Sequence, residues 1–324
     1  MKRVAITAFL GVLTSMACVP AMAGVMLGAH VVYGGEGKDA NDKAEFTALE
    51  DAIGRKLAID NDHEDWANFP NAERVGWDAR NGRLSMLSWR VVFNREDTAK
   101  GCATADAILA GTYDAQLERQ ALAAKALGRP ILVRFNYEMT GNEENTCFTG
   151  FPVKTNFTLA GSKYVAVWKH IVDQFRAAGA TNVQWVWAPN HNAFAKPFIR
   201  QFYPGNAYVD WIGVDYYNKT ETPKSFADDP GMQAFAAMAS SGKPLMIAET
   251  GSINDPRLNP DPQTLWLNTA REFVKAHPAI KALVWWNTPG KYARQNPGYG
   301  GSGYVLRGAG LAAFKAMAND PYFK

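Results

Sequence analysis

The sequence predicts an α/β fold in which a single (β/α)8 TIM barrel occupies almost the whole chain. Eight short apolar runs, rich in β-branched and aromatic residues, alternate with longer amphipathic helical patterns. About 300 residues follow the N-terminal segment considered below, which is the size of one such barrel. No Pro/Thr/Ser-rich linker and no internal repeat divides the chain. We therefore expect one domain over residues 24–324.

The predicted strands lie at 25–32, 56–60, 84–91, 130–137, 183–187, 211–216, 245–248 and 282–286. An open, doubly wound sheet is the alternative fold. It would normally carry a Gly-rich phosphate turn after its first strand, and the glycines within 30–37 lack the G-x-G-x-x-G spacing. The pattern therefore favours the closed barrel.

The predicted helices lie between these strands. In the clearest one, at 163–178, Trp168, Ile171 and Phe175 follow the three-and-four spacing of a buried face, and Gly179 ends the pattern. Three further helices are predicted at 105–127, 264–276 and 310–318.

Residues 1–23 are typical of a secretory signal peptide. Lys2 and Arg3 precede an apolar stretch, and small residues before Ala23 suit a signal peptidase. Lipidation at Cys18 is the alternative, which Ser15 disfavours. No apolar stretch approaches the roughly 20 residues that span a bilayer. We expect a secreted or periplasmic protein, cleaved near Ala23, with no membrane partner.

Charge and composition exclude several function classes. The chain has 34 basic and 31 acidic residues, without the Lys/Arg cluster that nucleic-acid binding needs. Ten Trp and twelve Tyr are more than a core needs, and such rings stack on the apolar faces of sugars.

Cys102 and Cys147 are expected to form a disulfide, because a pair of cysteines in an oxidising compartment is usually joined.

Two strand ends carry candidate catalytic glutamates. Arg134, Asn136 and Glu138 alternate as the fourth strand ends, which predicts that they share one face. Glu249 ends the seventh strand, and active sites of barrels lie at this end. A pair of carboxylates about 5 to 5.5 Å apart serves a retaining glycosidase, in which one protonates the leaving oxygen and the other attacks the anomeric carbon.

Five segments then carry a family resemblance. In chain order they are AILAGTYDAQLERQALAAKALGRPILVRFNYEMTGN, GATNVQWVWAPN, FYPGNAYVDWIGVDYYN, LMIAETGS and ALVWWNTPG. In these segments the sequence resembles glycoside hydrolase family 26, whose barrels have their acid/base and nucleophile glutamates on strands four and seven. Its best-known members are endo-β-1,4-mannanases, with xylanases and mixed-linkage glucanases beside them. The resemblance implies a polysaccharide substrate and no cofactor or metal; we also expect a monomer.

The resemblance implies a role for each matched residue. Glu138 corresponds to the acid/base, Glu249 to the nucleophile, Arg134 to an arginine that supports the nucleophile, and Tyr217 to a tyrosine that orients it. Trp285 corresponds to the sugar platform at the end of the eighth strand. A buried ion pair with Asp215, which shares a strand face with Tyr217, is the alternative for Arg134.

Other residues are weaker candidates. Trp89 and Trp187 are expected either to flank bound sugars or to pack in the core, and Asn136 either to bind a sugar hydroxyl or to brace the barrel. Trp286 should point towards the helices or a loop. His191 follows the fifth strand and is more typical of a solvated loop.

Tyr137 departs from the family pattern, because mannanases usually carry histidine immediately before the acid/base glutamate. A phenol also donates a hydrogen bond, but it is longer and stays neutral. We expect Tyr137 to bind the substrate. The function expected first is that of a secreted endo-β-1,4-mannanase, and the change at Tyr137 leaves its specificity open. Xylanases, β-glucanases and exopolysaccharide hydrolases stay in contention.

Two further classes of function are weighed. An inactive polysaccharide-binding accessory would keep aromatic platforms but would not need both glutamates. A metal-dependent hydrolase would need converging histidines, and the five histidines are scattered singly along the sequence.

Overall fold

The computed structural model describes residues 24–32, 39–94, 100–141, 144–220, 222–289 and 303–324. The predicted signal peptide at 1–23 lies outside the described residues, as does most of the loop that follows the eighth strand. No helix in the described part of the chain is long and apolar enough to cross a membrane.

Eight parallel strands close into a barrel in which each strand pairs with its neighbours in sequence and the first pairs with the last. The predicted fold is therefore confirmed. The strands are β1 (Met26–Val31), β2 (Ile59–Glu64), β3 (Leu84–Trp89), β4 (Ile131–Phe135), β5 (Val183–Trp187), β6 (Trp211–Asn218), β7 (Leu245–Ser252) and β8 (Ile280–Asn287).

Helices follow the strands and cover the outside of the barrel. They are α1 (Asp39–Ile53), α2 (Ala72–Arg80), α3 (Ala105–Leu109), α4 (Asp114–Ala126), α5 (Glu144–Thr149), α6 (Phe157–Ala177), α7 (His191–Phe194), α8 (Pro230–Ala237), α9 (Pro262–Ala276) and α10 (Gly308–Ala318). The single helix predicted at 105–127 is divided into α3 and α4. Gly111 lies between them with φ +79°, a left-handed conformation that ends a helix.

The second strand lies later than its predicted position at 56–60. Its sequence, IDNDHE, has little apolar character, so hydropathy does not reveal it. Two of its polar side chains are nevertheless paired: Asp60 Oδ2 accepts from Arg74 Nε at 2.6 Å on the helix side, and Asn61 Oδ1 accepts from Ser88 Oγ at 2.7 Å inside the barrel. Pairing of this kind lets a polar strand be buried.

Apolar side chains of mixed size fill the lower interior of the barrel. Gly213 is needed there, because a Cβ atom would lie 2.9 Å from the Cβ of Ala188. The interior-facing apolar residues are Met26, Ile59, Met86, Leu132, Val186, Ala188, Met246, Ala248, Ala282 and Val284. A larger apolar layer lies between strands and helices and holds most of the buried tryptophans. The packed interior leaves the carboxyl-terminal mouth as the place where polar groups meet.

Cys102 and Cys147 form the predicted disulfide, with their Cα atoms 6.2 Å apart. Cys102 also pairs with Val92 in an antiparallel bridge, and Cys147 lies in α5. The disulfide therefore joins the chain after β3 to the helix after β4, next to the mouth of the barrel.

Candidate active site

Four polar side chains meet in the barrel mouth, those of Glu249, Arg134, Asp215 and Tyr217. Arg134 Nη1 donates to Glu249 Oε1 at 2.7 Å, and its Nη2 donates to Asp215 Oδ2 at 2.6 Å. Tyr217 Oη donates to Glu249 Oε2 at 2.7 Å. Both roles considered for Arg134 are thus present, since it contacts the predicted nucleophile and is also paired with Asp215.

Regular alternation on β6 directs Asp215 and Tyr217 into the mouth. Gly213 faces the interior on the same side, while Val214 and Tyr216 pack in the outer layer. The prediction that Asp215 and Tyr217 share a strand face is confirmed. It succeeded because the side-chain period of two is maintained to the end of this strand.

A β-bulge on β7 turns Glu249 inward. Met246 and Ala248 both face the interior, so strict alternation would send Glu249 towards the helices. The β6 register instead passes from Ile247 directly to Glu249, leaving Ala248 as an extra residue. Beyond the bulge, Thr250 Oγ1 accepts from Trp266 Nε1 at 2.9 Å in the helix layer. The bulge therefore re-aims the carboxylate, as bulges near functional sites often do.

Glu138 reaches the mouth by a strained turn and not by strand alternation, contrary to the prediction. β4 ends at Phe135, and Asn136 and Glu138 have φ values of 41° and 52°. Left-handed conformations are uncommon in residues other than glycine and often occur at functional sites. The turn is held by the Glu138 N–H, which donates to Ala188 O at 2.9 Å.

Asn136 braces this turn. Its Nδ2 donates to Asn145 Oδ1 at 3.0 Å, and Asn145 Nδ2 donates to the Glu138 carbonyl at 3.3 Å. Of the two roles considered for Asn136, the structure shows the bracing one. It does so by tying the turn to the α5 segment.

The two glutamates differ in protonation. Burial opposes the charge of Glu249, but Arg134, His63 and Tyr217 outweigh burial and hold the pKa of Glu249 well below its usual range. Burial and the negative charge of Glu249 raise the pKa of Glu138, although Glu138 keeps part of its surface exposed. One carboxylate is thus kept ionised, while the other retains its proton to a higher pH.

Arg134 carries one charge for two acids. Burial and the charge of Glu249 raise the pKa of Asp215, although Arg134 acts in the opposite direction. Arg134 is itself completely buried, and the two acids raise its pKa. Arg134 therefore contacts both acids, and of the two only Glu249 has a lowered pKa.

Tyr137 lies between two arginines. The guanidinium carbons of Arg90 and Arg134 lie 4.5 Å and 4.1 Å from its ring centroid. Its hydroxyl accepts from Arg90 Nε at 2.5 Å. The side chain is buried, so the structure gives it a contact with the site and not an open face for sugar.

Three aromatic residues from β1, β2 and β8 also lie in the mouth and are missing from the predicted site: His30, His63 and Trp286. His30 stacks on Trp286 at 4.1 Å between ring centroids and lies edge-on to His63 at 4.6 Å. His63 Nε2 lies 3.5 Å from Glu249 Oε1. The description of the histidines as scattered holds for the sequence but is wrong for the fold, which brings two together. Alternation after Gly28 and Asn61 was the signal that could have found them.

The tryptophans of β8 point in directions opposite to those predicted. Ala282 and Val284 face the interior, so the same side includes Trp286. Trp285 is completely buried in the outer layer, and its Nε1 donates to Tyr304 O at 3.0 Å. The expected sugar platform at Trp285 is therefore wrong in position, and Trp286 occupies the mouth instead.

Trp89 and Trp187 also belong to the outer layer. Trp89 stacks between Trp66 and Phe69 at centroid distances of 5.1 Å and 4.4 Å. Trp187 packs edge-on against Tyr203 at 4.9 Å. Both side chains are buried, so the packing role is the one that the structure shows.

His191 is half-buried beside Tyr216, with ring centroids 4.2 Å apart, and is not the solvated loop residue that was expected. Burial lowers its pKa. Within the described ranges, no group of three His, Cys, Asp or Glu side chains is arranged to hold a metal ion.

Comparison with known sequences gives one consistent result. The sequence profile described as "Glycosyl hydrolase family 26" matches residues 26–276. Endoglucanase H of Acetivibrio thermocellus is 32% identical over 239 residues, which are 71% of this chain and 24% of that protein. A mannan endo-1,4-beta-mannosidase of Bacillus subtilis is 31% identical over 129 residues, 39% of this chain and 32% of that protein. The chain spans about a quarter to a third of the length of these relatives.

Solved structures show the same fold. The catalytic domain of a Bacillus sp. JAMB-750 GH26 endo-beta-1,4-mannanase superposes with a TM-score of 0.64 at 19% identity, covering 93% of this chain and 87% of that one. A GH26 beta-mannanase from Bacteroides ovatus gives a TM-score of 0.63 at 16% identity, with coverages of 94% and 90%.

Proposed function

The chain belongs to glycosyl hydrolase family 26, and from that premise we propose that it is a retaining endo-β-glycosidase that cleaves a β-linked polysaccharide by double displacement. The observation that carries the proposal is the pair of unlike carboxyl groups. Glu249 is held ionised by Arg134 and Tyr217, and Glu138 beside it has a raised pKa. A glycosidase separates its nucleophile from its acid in this way.

In the first step, an oxygen of Glu249 attacks the anomeric carbon and forms a covalent glycosyl ester. The bond from that carbon to the leaving oxygen breaks, and Glu138 transfers its proton to that oxygen. In the second step, Glu138 takes a proton from water as the water oxygen attacks the same carbon. The ester bond breaks, Glu249 is released as a carboxylate, and the proton is back on Glu138.

Arg134 and Tyr217 serve this chemistry by fixing the nucleophile. Their hydrogen bonds occupy one carboxylate oxygen each, so the orientation of Glu249 is set before substrate binds. Donors that are already in place need no reorganisation during the reaction. Trp286, stacked on His30, is proposed as the sugar platform in place of Trp285.

The substrate that we propose first is a β-1,4-mannan or glucomannan. The name of the Bacillus subtilis relative and the mannanase fold neighbours support it. Tyr137 at the place of the usual histidine keeps xylans, mixed-linkage β-glucans and exopolysaccharides as alternatives. The names of an endoglucanase and a beta-1,3-xylanase among the relatives are in line with that breadth.

Export from the cytoplasm is part of the proposal. Residues 1–23 have the pattern of a signal peptide. The disulfide between Cys102 and Cys147 supports it, because such bonds persist in oxidising compartments. We propose that the enzyme acts as a monomer, secreted or periplasmic.

The test is hydrolysis of mannan, glucomannan, xylans and β-glucans by the purified protein, with NMR of the first-formed anomer. We expect a β product, and therefore retention. Glu249→Ala and Glu138→Gln should each remove nearly all turnover while circular dichroism stays unchanged. An α product, or substantial turnover by either variant, would contradict the mechanism. Binding without any released reducing ends would instead indicate an inactive polysaccharide-binding protein.

A further inference from the structure

Asn145 is a buried side chain that joins two points of the turn carrying Glu138. Its Oδ1 accepts from Asn136 Nδ2 at 3.0 Å, and its Nδ2 donates to the Glu138 carbonyl at 3.3 Å. Only 2% of its surface is exposed. The turn needs support, because Asn136 and Glu138 both have left-handed backbone conformations, which persist only where the surrounding structure holds them. Asn145 therefore supports the proposed acid/base residue through its main chain.

The helix that carries Asn145 is too short to keep its position alone. α5 has six residues, and an isolated helix of that length is not stable in water. Contacts from other parts of the chain hold it: Phe148 is buried against Tyr164 of α6, with ring centroids 6.5 Å apart, and Cys147 is bonded to Cys102. The disulfide is the covalent one of these contacts, and it lies two residues from Asn145.

The disulfide anchors α5 to the same strand that holds the turn. Cys102 pairs with Val92 in the antiparallel bridge that follows β3. Trp89, the last residue of β3, accepts at its carbonyl from the Asn136 N–H at 2.8 Å. A closed path of contacts therefore runs from β3 through the disulfide and Asn145 to the turn, and from the turn back to β3. Because the path starts and ends at one strand, a displacement of α5 is passed to the turn.

We propose that Asn145 is a positioning residue for Glu138, and that the disulfide between Cys102 and Cys147 holds Asn145 in place for that task. The inference rests on the proposed glycosidase function and adds residues that act through its acid/base group. A general acid must lie within hydrogen-bond reach of the leaving oxygen, and a small displacement removes much of its effect. Loss of this support should weaken proton transfer more than nucleophilic attack, because the nucleophile is held by side chains of β4 and β6.

The experiment compares two leaving groups, of which only the poorer one needs the proton. We measure kcat/KM for the phenyl and the dinitrophenyl β-glycosides of the disaccharide unit of the best-cleaved polysaccharide, since kcat/KM covers the steps up to release of the leaving group. Asn145→Ala should lower the phenyl-to-dinitrophenyl ratio about tenfold to a hundredfold, as a displaced catalytic group does. Both values come from one sample, so a smaller folded fraction cancels in the ratio.

The role of the disulfide is tested in the same assay. The double variant Cys102→Ala/Cys147→Ala should lower the ratio about threefold, because the remaining contacts hold α5 less firmly. Dithiothreitol should have the same effect on the folded wild type, since Cys147 is exposed to the reagent. In that reaction the dithiol is oxidised to its cyclic disulfide while the two cysteines are reduced to thiols. Reoxidation should restore the ratio.

Two asparagine variants complete the test. Asn145→Asp keeps the acceptor for Asn136 and loses the donor to Glu138, so it should lower the ratio even if Asn145→Ala does not fold. Asn182→Ala is the matched control, because Asn182 Nδ2 also donates to main-chain carbonyls, at 2.9 Å and 2.8 Å, but lies before β5 at the opposite end of the barrel. It should lower stability and leave the ratio unchanged.

The outcomes separate the two proposals. A ratio that neither Asn145 variant lowers, or that Asn182→Ala lowers equally, overturns the positioning role while the glycosidase assignment stands. A wild-type ratio in both the double cysteine variant and the reduced protein would overturn the part assigned to the disulfide. No cleavage of any polysaccharide or aryl glycoside by the wild type would overturn the glycosidase assignment itself.

Discussion

Tyr217 donates its phenolic hydrogen to Oε2 of Glu249 at 2.7 Å, across two neighbouring strands. The contact depends on the β7 bulge, which places Glu249 opposite Asp215 and turns its side chain inward. Burial and the negative charge of Glu249 raise the pKa of Tyr217, which therefore stays a donor. The orientation of the proposed nucleophile is thus set by an irregularity in the sheet.

Tyr217→Phe is expected to lower kcat about tenfold to a hundredfold, because a hydrogen bond to a charged group contributes about 1.5 to 3 kcal/mol. The lost bond is one of the contacts that lower the pKa of Glu249, so that pKa should rise. The acidic limb of the kcat/KM profile should move to higher pH accordingly. Tyr216→Phe, which changes a ring in the outer layer, is the control and should leave the limb in place. An unmoved limb in Tyr217→Phe would argue against the assigned role.

Glu138→Ala is expected to lose about 10² to 10⁴ in rate on polysaccharide, the usual contribution of a general acid. A dinitrophenyl glycoside has a leaving group that needs no proton, so its first step should survive. The variant should release a burst of dinitrophenol and then stall at the covalent ester, and azide should restore turnover. Glu249→Ala should show no burst. A burst in Glu249→Ala would reverse the two assignments.

The two tryptophans of β8 predict opposite phenotypes. Trp286→Ala removes the ring that stacks on His30 at the mouth, and we expect a raised KM with little loss of stability. Trp285→Ala empties a fully buried site and should lower the free energy of unfolding by about 3 to 5 kcal/mol. Urea unfolding and initial rates for both variants check this. A Trp285→Ala protein with normal stability and a raised KM would restore the original platform prediction.

The barrel is predictable because all of its strands except the second are short apolar runs and its helices have a clear period. Arg134 and Tyr217 lie in the mouth as predicted, because both are on regular strand segments. Glu138 and Glu249 also reach the mouth, but through a left-handed turn and a bulge, which hydrophobic pattern does not encode. Trp285 was chosen from the family resemblance, whereas alternation from Ala282 and Val284 would have selected Trp286.

The polar second strand explains the remaining omissions. The carboxylate of Asp60 accepts from Arg74 of α2 and that of Glu64 from the Asn71 N–H, so burial of this strand depends on tertiary partners and not on local hydropathy. Because hydropathy predicts this strand at 56–60, short of His63, the prediction gives no direction for that side chain; alternation gives it only when the strand is extended beyond Asn61. The contact between His30 and His63 was missed for the same reason.

Asp60 of β2 leads to a prediction about pH and stability, through its effect on Asp78. Asp78 of α2 is buried and accepts from Ser85 Oγ at 2.6 Å. Burial and the neighbouring carboxylate of Asp60 raise the pKa of Asp78 to about 9. Between about pH 4, the ordinary pKa of aspartate, and pH 9, the folded protein therefore holds a proton that the unfolded chain releases.

A proton bound only by the folded state makes stability fall as pH rises, by about 1.4 kcal/mol per pH unit in this window. Asp78→Asn cannot ionise, so it removes this contribution. The unfolding free energy of the variant relative to the wild type should increase steadily from pH 5 to pH 8 in urea titrations. Other titrating groups cancel in that difference, and Asp51→Asn, which changes an exposed acid of α1, should show no such trend. Parallel curves for wild type and Asp78→Asn would mean that Asp78 is already ionised in the folded protein, with Arg83, 3.8 Å away, as its counter-charge.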